Sequence, residues 1–257
     1  MEVLRYIYAC QLSLHYTPDV LRTSKIVFIP KLGKDDYCEA KSYRPISLTP
    51  FLFKLMERTA AWHIVNKVFK DSPLHKRQHA YRVGRSTESA ISQVINQLEK
   101  GMYTKKFALA SFIDISAAFD KLNPDKAVAA LIKKGVPENI ALWYRNYLKS
   151  RYLYVNLKGT SVWREIGIGC PQGGVLSTIL WNVAFDDLLK LFDSNDRIGI
   201  VGYADDGSII ITGSDLKQMY AEMNAALVKC EEWAETYGLA ISPEKTEYIF
   251  SLLWANC

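Results

Sequence analysis

No Cys-x-x-Cys pair occurs in the chain, and its five cysteines (Cys10, Cys38, Cys170, Cys230, Cys257) stand apart from one another, with no histidine at ligand spacing. That pattern supports neither a zinc site nor a disulfide framework, and it implies a reducing compartment by default. Long apolar runs are missing too. None approaches the roughly 18 residues that a spanning helix needs, and the N-terminal MEVLRYIYACQLSLHY holds polar residues and no small-residue cleavage site. The chain is therefore expected to be a mature, soluble, intracellular segment, of nucleus or cytoplasm, with no membrane partner. Without a repeat, a low-complexity tract or a Pro/Ser-rich linker, it reads as one compact unit with at most a soft boundary near residue 103. What is present is globular composition: 257 residues, 49% hydrophobic and 23% charged, enough for a sizeable core. Lys and Arg number 32 against 27 Asp and Glu, and this net +5 favours a polyanionic partner only weakly.

Short-range signals lay out the elements. A helix is predicted from about Val3 to Tyr16, then a turn at Pro18 and an extended run from Lys25 to Pro30. Between Pro50 and Phe69, the positions Leu52, Leu55, Met56, Thr59, Trp62, Val65, Val68 and Phe69 recur in threes and fours, predicting an amphipathic helix with that face in the core. A helix from about Thr87 to Met102 presents Ile91, Val94, Ile95 and Leu98 on one face. Phe107 to Asp114 reads as a buried strand. Asn123 caps and Pro124 starts a helix that Gly135 ends, and another begins at Pro137. Arg151 to Lys158 and Val162 to Ile168 form a hairpin around Gly159-Thr160. A Gly-rich loop then opens a long helix, and a last helix from Leu216 to Tyr237 turns Leu216, Met219, Met223, Leu227, Cys230 and Trp233 inward, with Gly238 as its stop.

Five stretches carry the chemistry. In IGIVGYADDGSIIIT (198–212), an Asp-Gly step between β-branched runs signals a hairpin with Asp205 and Asp206 at its tip. Two adjacent anions repel unless a cation shares the site, and a divalent metal is the natural partner, although Asp-Asp-Gly is also ordinary turn chemistry. Asp114 ends an apolar strand, where an unpartnered buried carboxylate costs several kcal/mol, so it is either exposed at a sheet edge or given a cation. Lys31, Lys34, Lys41 and Arg44 gather around Gly33 and Pro45, suiting phosphate oxygens or a solvated loop. Lys76, Arg77, Arg82 and Arg85 are interleaved with Tyr81, a pattern that fits a nucleic-acid backbone or a surface connector. The Gly-rich segment before the long helix attracts anions through its amides, or is a plain turn.

Taken in order, SYRPISL (Ser42 to Leu48), FIDISAAFD (Phe112 to Asp120), GCPQGGVLS (Gly169 to Ser177), YADD (Tyr203 to Asp206) and GLAISPEKTE (Gly238 to Glu247) give the chain its resemblance to a family. Over nearly its whole length it resembles the reverse transcriptase domain of non-long-terminal-repeat (LINE-like, jockey/R1-type) retrotransposons. The resemblance implies an α/β (α+β) fold: a polymerase palm, with an antiparallel sheet and helices on one face, plus largely helical fingers. About 1–102 would be mainly fingers, and about 103–257 mainly palm with inserted finger segments. It implies RNA-directed DNA polymerase activity, adding deoxynucleotides to a primer 3′-hydroxyl by two-metal nucleotidyl transfer. Two magnesium ions, or manganese in their place, would be held by Asp114, Asp205, Asp206 and the Ile115 carbonyl. RNA template, DNA primer and dNTPs are the implied partners.

Further roles follow from the same resemblance. Phe119, five residues beyond Asp114, resembles a steric gate against the ribose 2′-hydroxyl, the alternative being a packed core aromatic. Gln172 and Gly173 would lie beneath the templating base and incoming nucleotide, with Tyr203 of YADD beside it. Arg44, with Lys31 and Lys34, would contact the triphosphate. Lys245 resembles the lysine that protonates departing pyrophosphate, or is a surface lysine. The chain departs from the family pattern at Thr178, commonly Pro, and at Gly207, commonly apolar and here expected to loosen the hairpin. It stops soon after Lys245, so the primer-gripping hairpin, the helical thumb and the endonuclease domain of full-length relatives are expected to be absent. Alternatives are an inactive truncated remnant, a nucleic-acid-binding scaffold, a group II intron-type maturase, or a viral RNA polymerase, against which Phe119 and YADD argue.

Overall fold

The computed structural model describes residues 2–105, 107–157, 159–195 and 197–252, so Lys158 and Cys257 lie outside the described residues. In chain order the elements are α1 (Glu2–Leu14), α2 (Asp19–Arg22), β1 (Thr23–Pro30), β2 (Tyr43–Leu48) and α3 (Phe51–His63), followed by a π-helical turn (Ile64–Val68) and α4 (Phe69–Asp71). Next come α5 (Thr87–Lys105), β3 (Phe107–Asp114), α6 (Ala118–Lys121), α7 (Pro124–Lys133), α8 (Glu138–Lys149), β4 (Arg151–Leu157) and β5 (Thr160–Ile166). Helix α9 (Val175–Lys190), β6 (Ile198–Tyr203), β7 (Asp206–Gly213), α10 (Leu216–Thr236) and β8 (Glu247–Leu252) complete the chain. Two compact units alternate along it: Met1–Pro73 with Phe119–Leu180, and Leu74–Ala118 with Trp181–Cys257. Position 103 lies inside the second unit, and no change of composition marks the divisions between the two units.

In the first unit the sheet order is β2-β1-β4-β5. β1 runs antiparallel to β2, from Lys25↔Leu48 to Pro30↔Tyr43, and parallel to β4 at Thr23↔Tyr152. Strands β1, β4 and β5 are predicted from the sequence, whereas β2 falls in the stretch read there as basic and turn-rich. The union of the four is not predicted, because it joins segments far apart in the chain. The core is aromatic: Phe53 of α3 packs on Trp143 and Tyr147 of α8, at 5.6 and 4.0 Å between ring centroids. Helix α7 begins as predicted, the Asn123 side chain accepting hydrogen bonds from the Asp125 and Lys126 amides.

The inward face of α3 differs from the one the periodicity suggested. Phe53, Met56, Glu57 and Ala60 are buried, continuing to Ile64 and Val68, whereas Leu52, Trp62 and Val65 are exposed. The helix carries two apolar stripes, and the one that wins holds Phe53, which fits the aromatic cluster, and Glu57, which finds buried hydrogen-bond donors. A carboxylate in the buried stripe hides it from a hydrophobicity pattern.

The second unit is built on an antiparallel sheet of order β6-β7-β3-β8. Ala90, with Val94 and Leu98, packs from α5 against Ala110, Val201 and Ile210 on one face. On the other, the Phe185 ring of α9 lies against Gly202 and Gly207, and Met219 of α10 lies against Gly213. Helices therefore cover both faces, not one. Strands β3 and β7 are apolar on both sides, and each side needs cover. Ile91 and Ile95, predicted inward on α5, remain substantially exposed. On α10 the predicted face holds: Met219, Met223, Cys230 and Trp233 are buried. Among the described residues, Cys10, Cys38, Cys170 and Cys230 are unpaired, and no helix is long and apolar enough to cross a membrane.

Candidate active site

In the second unit, β3 is a central strand, so Asp114 is not at a sheet edge. It ends that strand directly opposite Asp206, the first residue of β7. The hairpin turn is Ala204-Asp205, closed by the Tyr203↔Asp206 pair, so only Asp205 is at the tip. Asp206 and Gly207 belong to the strand. Ala204 has φ of 54°, in the left-handed region that a Cβ disfavours. The Trp181 indole N–H donates to the Ala204 carbonyl at 2.7 Å and holds the turn in that conformation. Gly207 does not loosen the hairpin: a Cβ there would lie 2.8 Å from Cγ1 of Ile113, so glycine serves close packing of β7 on β3. Trp181 was not singled out from the sequence, since nothing in a helical tryptophan announces a remote carbonyl partner.

The segment after α10 is sewn to the end of β3. The Ser116 amide donates to the Ala240 carbonyl and the Ser242 amide to the Asp114 carbonyl, both at 2.9 Å. These bonds flank Ile115, whose own carbonyl is used by neither. A 3-10 turn, Pro243–Lys245, then brings the Lys245 Nζ to 2.9 Å from Oδ2 of Asp114. Asp114 thus has the cation that its position demands. Burial, together with the neighbouring Asp205 and Asp114 carboxylates, pushes the Asp206 carboxyl above the usual carboxylate range, against the pull of Lys245. Asp114, Tyr203, Asp206, Glu244, Lys245 and Glu247 share in lining a cavity of about 820 Å³, whose remaining wall is the apolar flank of α5 and the sheet.

The donor chemistry here suits a hard divalent cation: carboxylate oxygens, a main-chain carbonyl and anionic repulsion that a cation relieves. Among the described residues, no three His, Cys, Asp or Glu side chains converge closely enough to hold an ion as they stand. Asp114 is paired with Lys245, and Asp206 faces the anionic Asp205 and Asp114. An ion would supply the attraction that draws them together.

The remaining predicted residues belong to the first unit. Gln172 and Gly173 lie in the loop before α9, the Gln172 carbonyl accepting from the Ser47 amide at 2.8 Å. The Gln172 Nε2 donates to both Asp120 oxygens, at 2.9 and 3.1 Å. Gly173 has φ of 99°, which only glycine adopts readily. Phe119 is half-buried, and its carbonyl accepts from the Cys170 amide at 2.7 Å. Arg44 and Lys34 are exposed, whereas the Lys31 Nζ donates to the Lys41 carbonyl at 2.9 Å. The Thr178 hydroxyl donates locally, to the Val175 carbonyl at 3.2 Å. Asp120, adjacent to Phe119, is the partner the sequence reading missed; its place in FIDISAAFD was the available signal.

Comparison with known proteins shows the family. A family model described as reverse transcriptase (RNA-dependent DNA polymerase) matches residues 29–253. The RNA-directed DNA polymerase from mobile element jockey of Drosophila melanogaster is 28% identical over 95% of this chain and 27% of its own length. The retrovirus-related Pol polyprotein from the type-1 retrotransposable element R1 of Bradysia coprophila is 28% identical over 91% of this chain and 23% of its own. The chain thus spans about a quarter of the length of these curated relatives. Among solved structures, apo telomerase from Candida tropicalis, truncated from its C-terminal domain, matches 93% of this chain and 52% of its own with a TM-score of 0.65 and 15% identity. Telomerase from Candida albicans in complex with a fragment of telomeric RNA matches 95% of this chain and 45% of its own, with a TM-score of 0.66 and 13% identity. These two likenesses concern the fold.

Proposed function

The chain belongs to the reverse transcriptase (RNA-dependent DNA polymerase) family, and from that premise we propose that it is the polymerase portion of a non-long-terminal-repeat retrotransposon protein, copying RNA into DNA. The observation that carries this reading is the register pairing of Asp114 with Asp206, beside Asp205 at the hairpin turn and with Lys245 on Asp114. We read the second unit as the palm and the first as carrying the fingers.

Two magnesium ions, or manganese in their place, would be held by Asp114, Asp205, Asp206 and the Ile115 carbonyl, and would supply activation of the primer 3′-hydroxyl and neutralisation of pyrophosphate charge. The chain's own residues bind, orient and exclude. Lys245 carries its proton at Nζ, 2.9 Å from Asp114, where it serves as the acid for the departing pyrophosphate. Phe119 excludes a ribose 2′-hydroxyl by bulk, and Gln172 and Gly173 support the templating base and incoming nucleotide, with Tyr203 beside the carboxylates. Arg44 supplies a bidentate fork to triphosphate oxygens, aided by Lys34 and Lys31. RNA template, DNA primer and dNTPs are the partners of this scheme.

The test is incorporation of labelled nucleotides on a primed RNA template. The reading requires template-directed addition of deoxynucleotides in preference to ribonucleotides, with the preference relaxed in Phe119→Val. A chain that binds RNA in a salt-sensitive manner yet adds no nucleotide is instead a scaffold.

A further inference from the structure

Two buried charged side chains bracket the Gly-rich loop of the first unit. Before the loop, the Arg151 guanidinium at the start of β4 donates through Nη2 to the carbonyls of Ile168 and Gly169, at 2.5 and 3.0 Å, and through Nε to Leu148 at 3.3 Å. After it, the Glu57 carboxylate of α3 accepts from the amides of Val175 and Leu176 at the start of α9, at 3.3 and 3.2 Å. Arg151 is 3% exposed and Glu57 is fully buried. Such groups are costly to bury unless their hydrogen bonds are made. The polarity is matched to the backbone on each side, guanidinium N–H donors on carbonyls and carboxyl oxygens on amides.

We propose that Arg151 and Glu57 are a pair of positioning residues that hold loop 168–176 in the conformation in which Gln172 and Gly173 meet the incoming nucleotide. This rests on the assignment of those two residues to the substrate made above. Between the brackets the loop has little freedom. The Gly169 amide donates to Leu122 at 2.9 Å, the Cys170 amide to Phe119 at 2.7 Å, and the Gln172 carbonyl takes the Ser47 amide. Gly169 has φ of 70°, and a Cβ there would fall 2.4 Å from the Asp120 carbonyl oxygen. The backbone is thus pressed against its neighbours, and the hydrogen bonds of Arg151 and Glu57 fix where the pressed segment starts and ends. Sequence reading passes over both. Glu57 sits in an amphipathic helix and Arg151 opens a hairpin, and neither adjoins the loop in the chain.

Lysine at 151 keeps the charge but lacks the fork that spans two carbonyls. Glutamine at 57 keeps the shape and one acceptor, but turns a donor toward the other amide. Arg151→Lys and Glu57→Gln in the full chain are expected to raise the KM for dNTP about tenfold with kcat changed less than about twofold, since misplacing a binding group costs substrate affinity. Amide hydrogen exchange should accelerate at residues 169–176 in both variants and stay unchanged in α8 and in the β4–β5 hairpin. An unchanged KM, or acceleration spread evenly over the first unit, overturns the proposal, because it would mark the two residues as general core supports. If the unaltered chain incorporates no nucleotide, the polymerase reading fails. The exchange pattern still decides the positioning claim: local acceleration upholds it, and uniform or absent acceleration overturns it.

Discussion

Lys245 and Glu57 show how differently a charged residue acts at the surface and in the interior. Lys245 is two-thirds exposed and pairs with a partly exposed Asp114, so Lys245→Ala should change unfolding free energy by less than about 1 kcal/mol in chemical denaturation. Single-turnover nucleotide addition should nonetheless fall by about a hundredfold or more if it is the general acid. Glu57 reverses the balance. Burial pushes its carboxyl from 4.5 up to about 7, against the pull of the Leu176 and Val175 amides and Lys54. A group that holds its proton more tightly when folded adds stability that is complete below about pH 4.5 and is lost as pH rises through about 7. The shift corresponds to roughly 3 kcal/mol. Urea unfolding between pH 4.5 and 7.5 should therefore show a falling contribution that Glu57→Gln removes; an identical slope in the variant would refute it. The acids of the second unit were legible because their neighbours advertise them: an apolar strand ending in Asp114, and YADD between β-branched runs. Glu57 was not, since burial against amides of a remote helix leaves no local trace.

Elements whose boundaries rest on local chemistry were the readable ones. Strand β3 runs from Phe107 to Asp114 as predicted, and α7 starts at the Asn123-Pro124 cap, because strand patterning and capping are settled within a few residues. The β6–β7 hairpin was also foreseen, but its turn is Ala204-Asp205 and not the Asp-Gly step. Packing decides here over turn propensity. Gly202 and Gly207 pair across the two strands, and a Cβ on Gly202 would sit 2.3 Å from Cε1 of Phe185. Gly202→Ala is expected to cost about 1–3 kcal/mol by overpacking, read as a lowered thermal midpoint. An unchanged midpoint would mean that the ring moves aside freely. The inward face of α3 illustrates the limit from the other side: two stripes were available, and the choice lay in the aromatic cluster of α8, which no helical period contains.

At the scale of the molecule, two parts with inserted segments follow only from the family resemblance; composition marks no division, because each unit is assembled from separated stretches without linkers between them. The family itself was legible, since five short motifs keep their order whatever the packing. RNA binding by the chain as proposed above is expected to weaken as salt rises, with a slope of about −0.7 per phosphate contact on a single strand, read from binding titrations at several salt concentrations. The proposed chemistry rests on Asp114, Asp205 and Asp206 of the second unit. The most direct test is single-nucleotide addition to a primed RNA template by the full chain, with magnesium titrated, in the unaltered protein and in Asp114→Asn and Asp205→Asn. Magnesium-dependent addition is expected, falling by about a thousandfold or more in either variant while the fold persists, as judged by circular dichroism. Addition within about tenfold of the unaltered rate in both variants would contradict it, and would place the chemistry elsewhere in the chain.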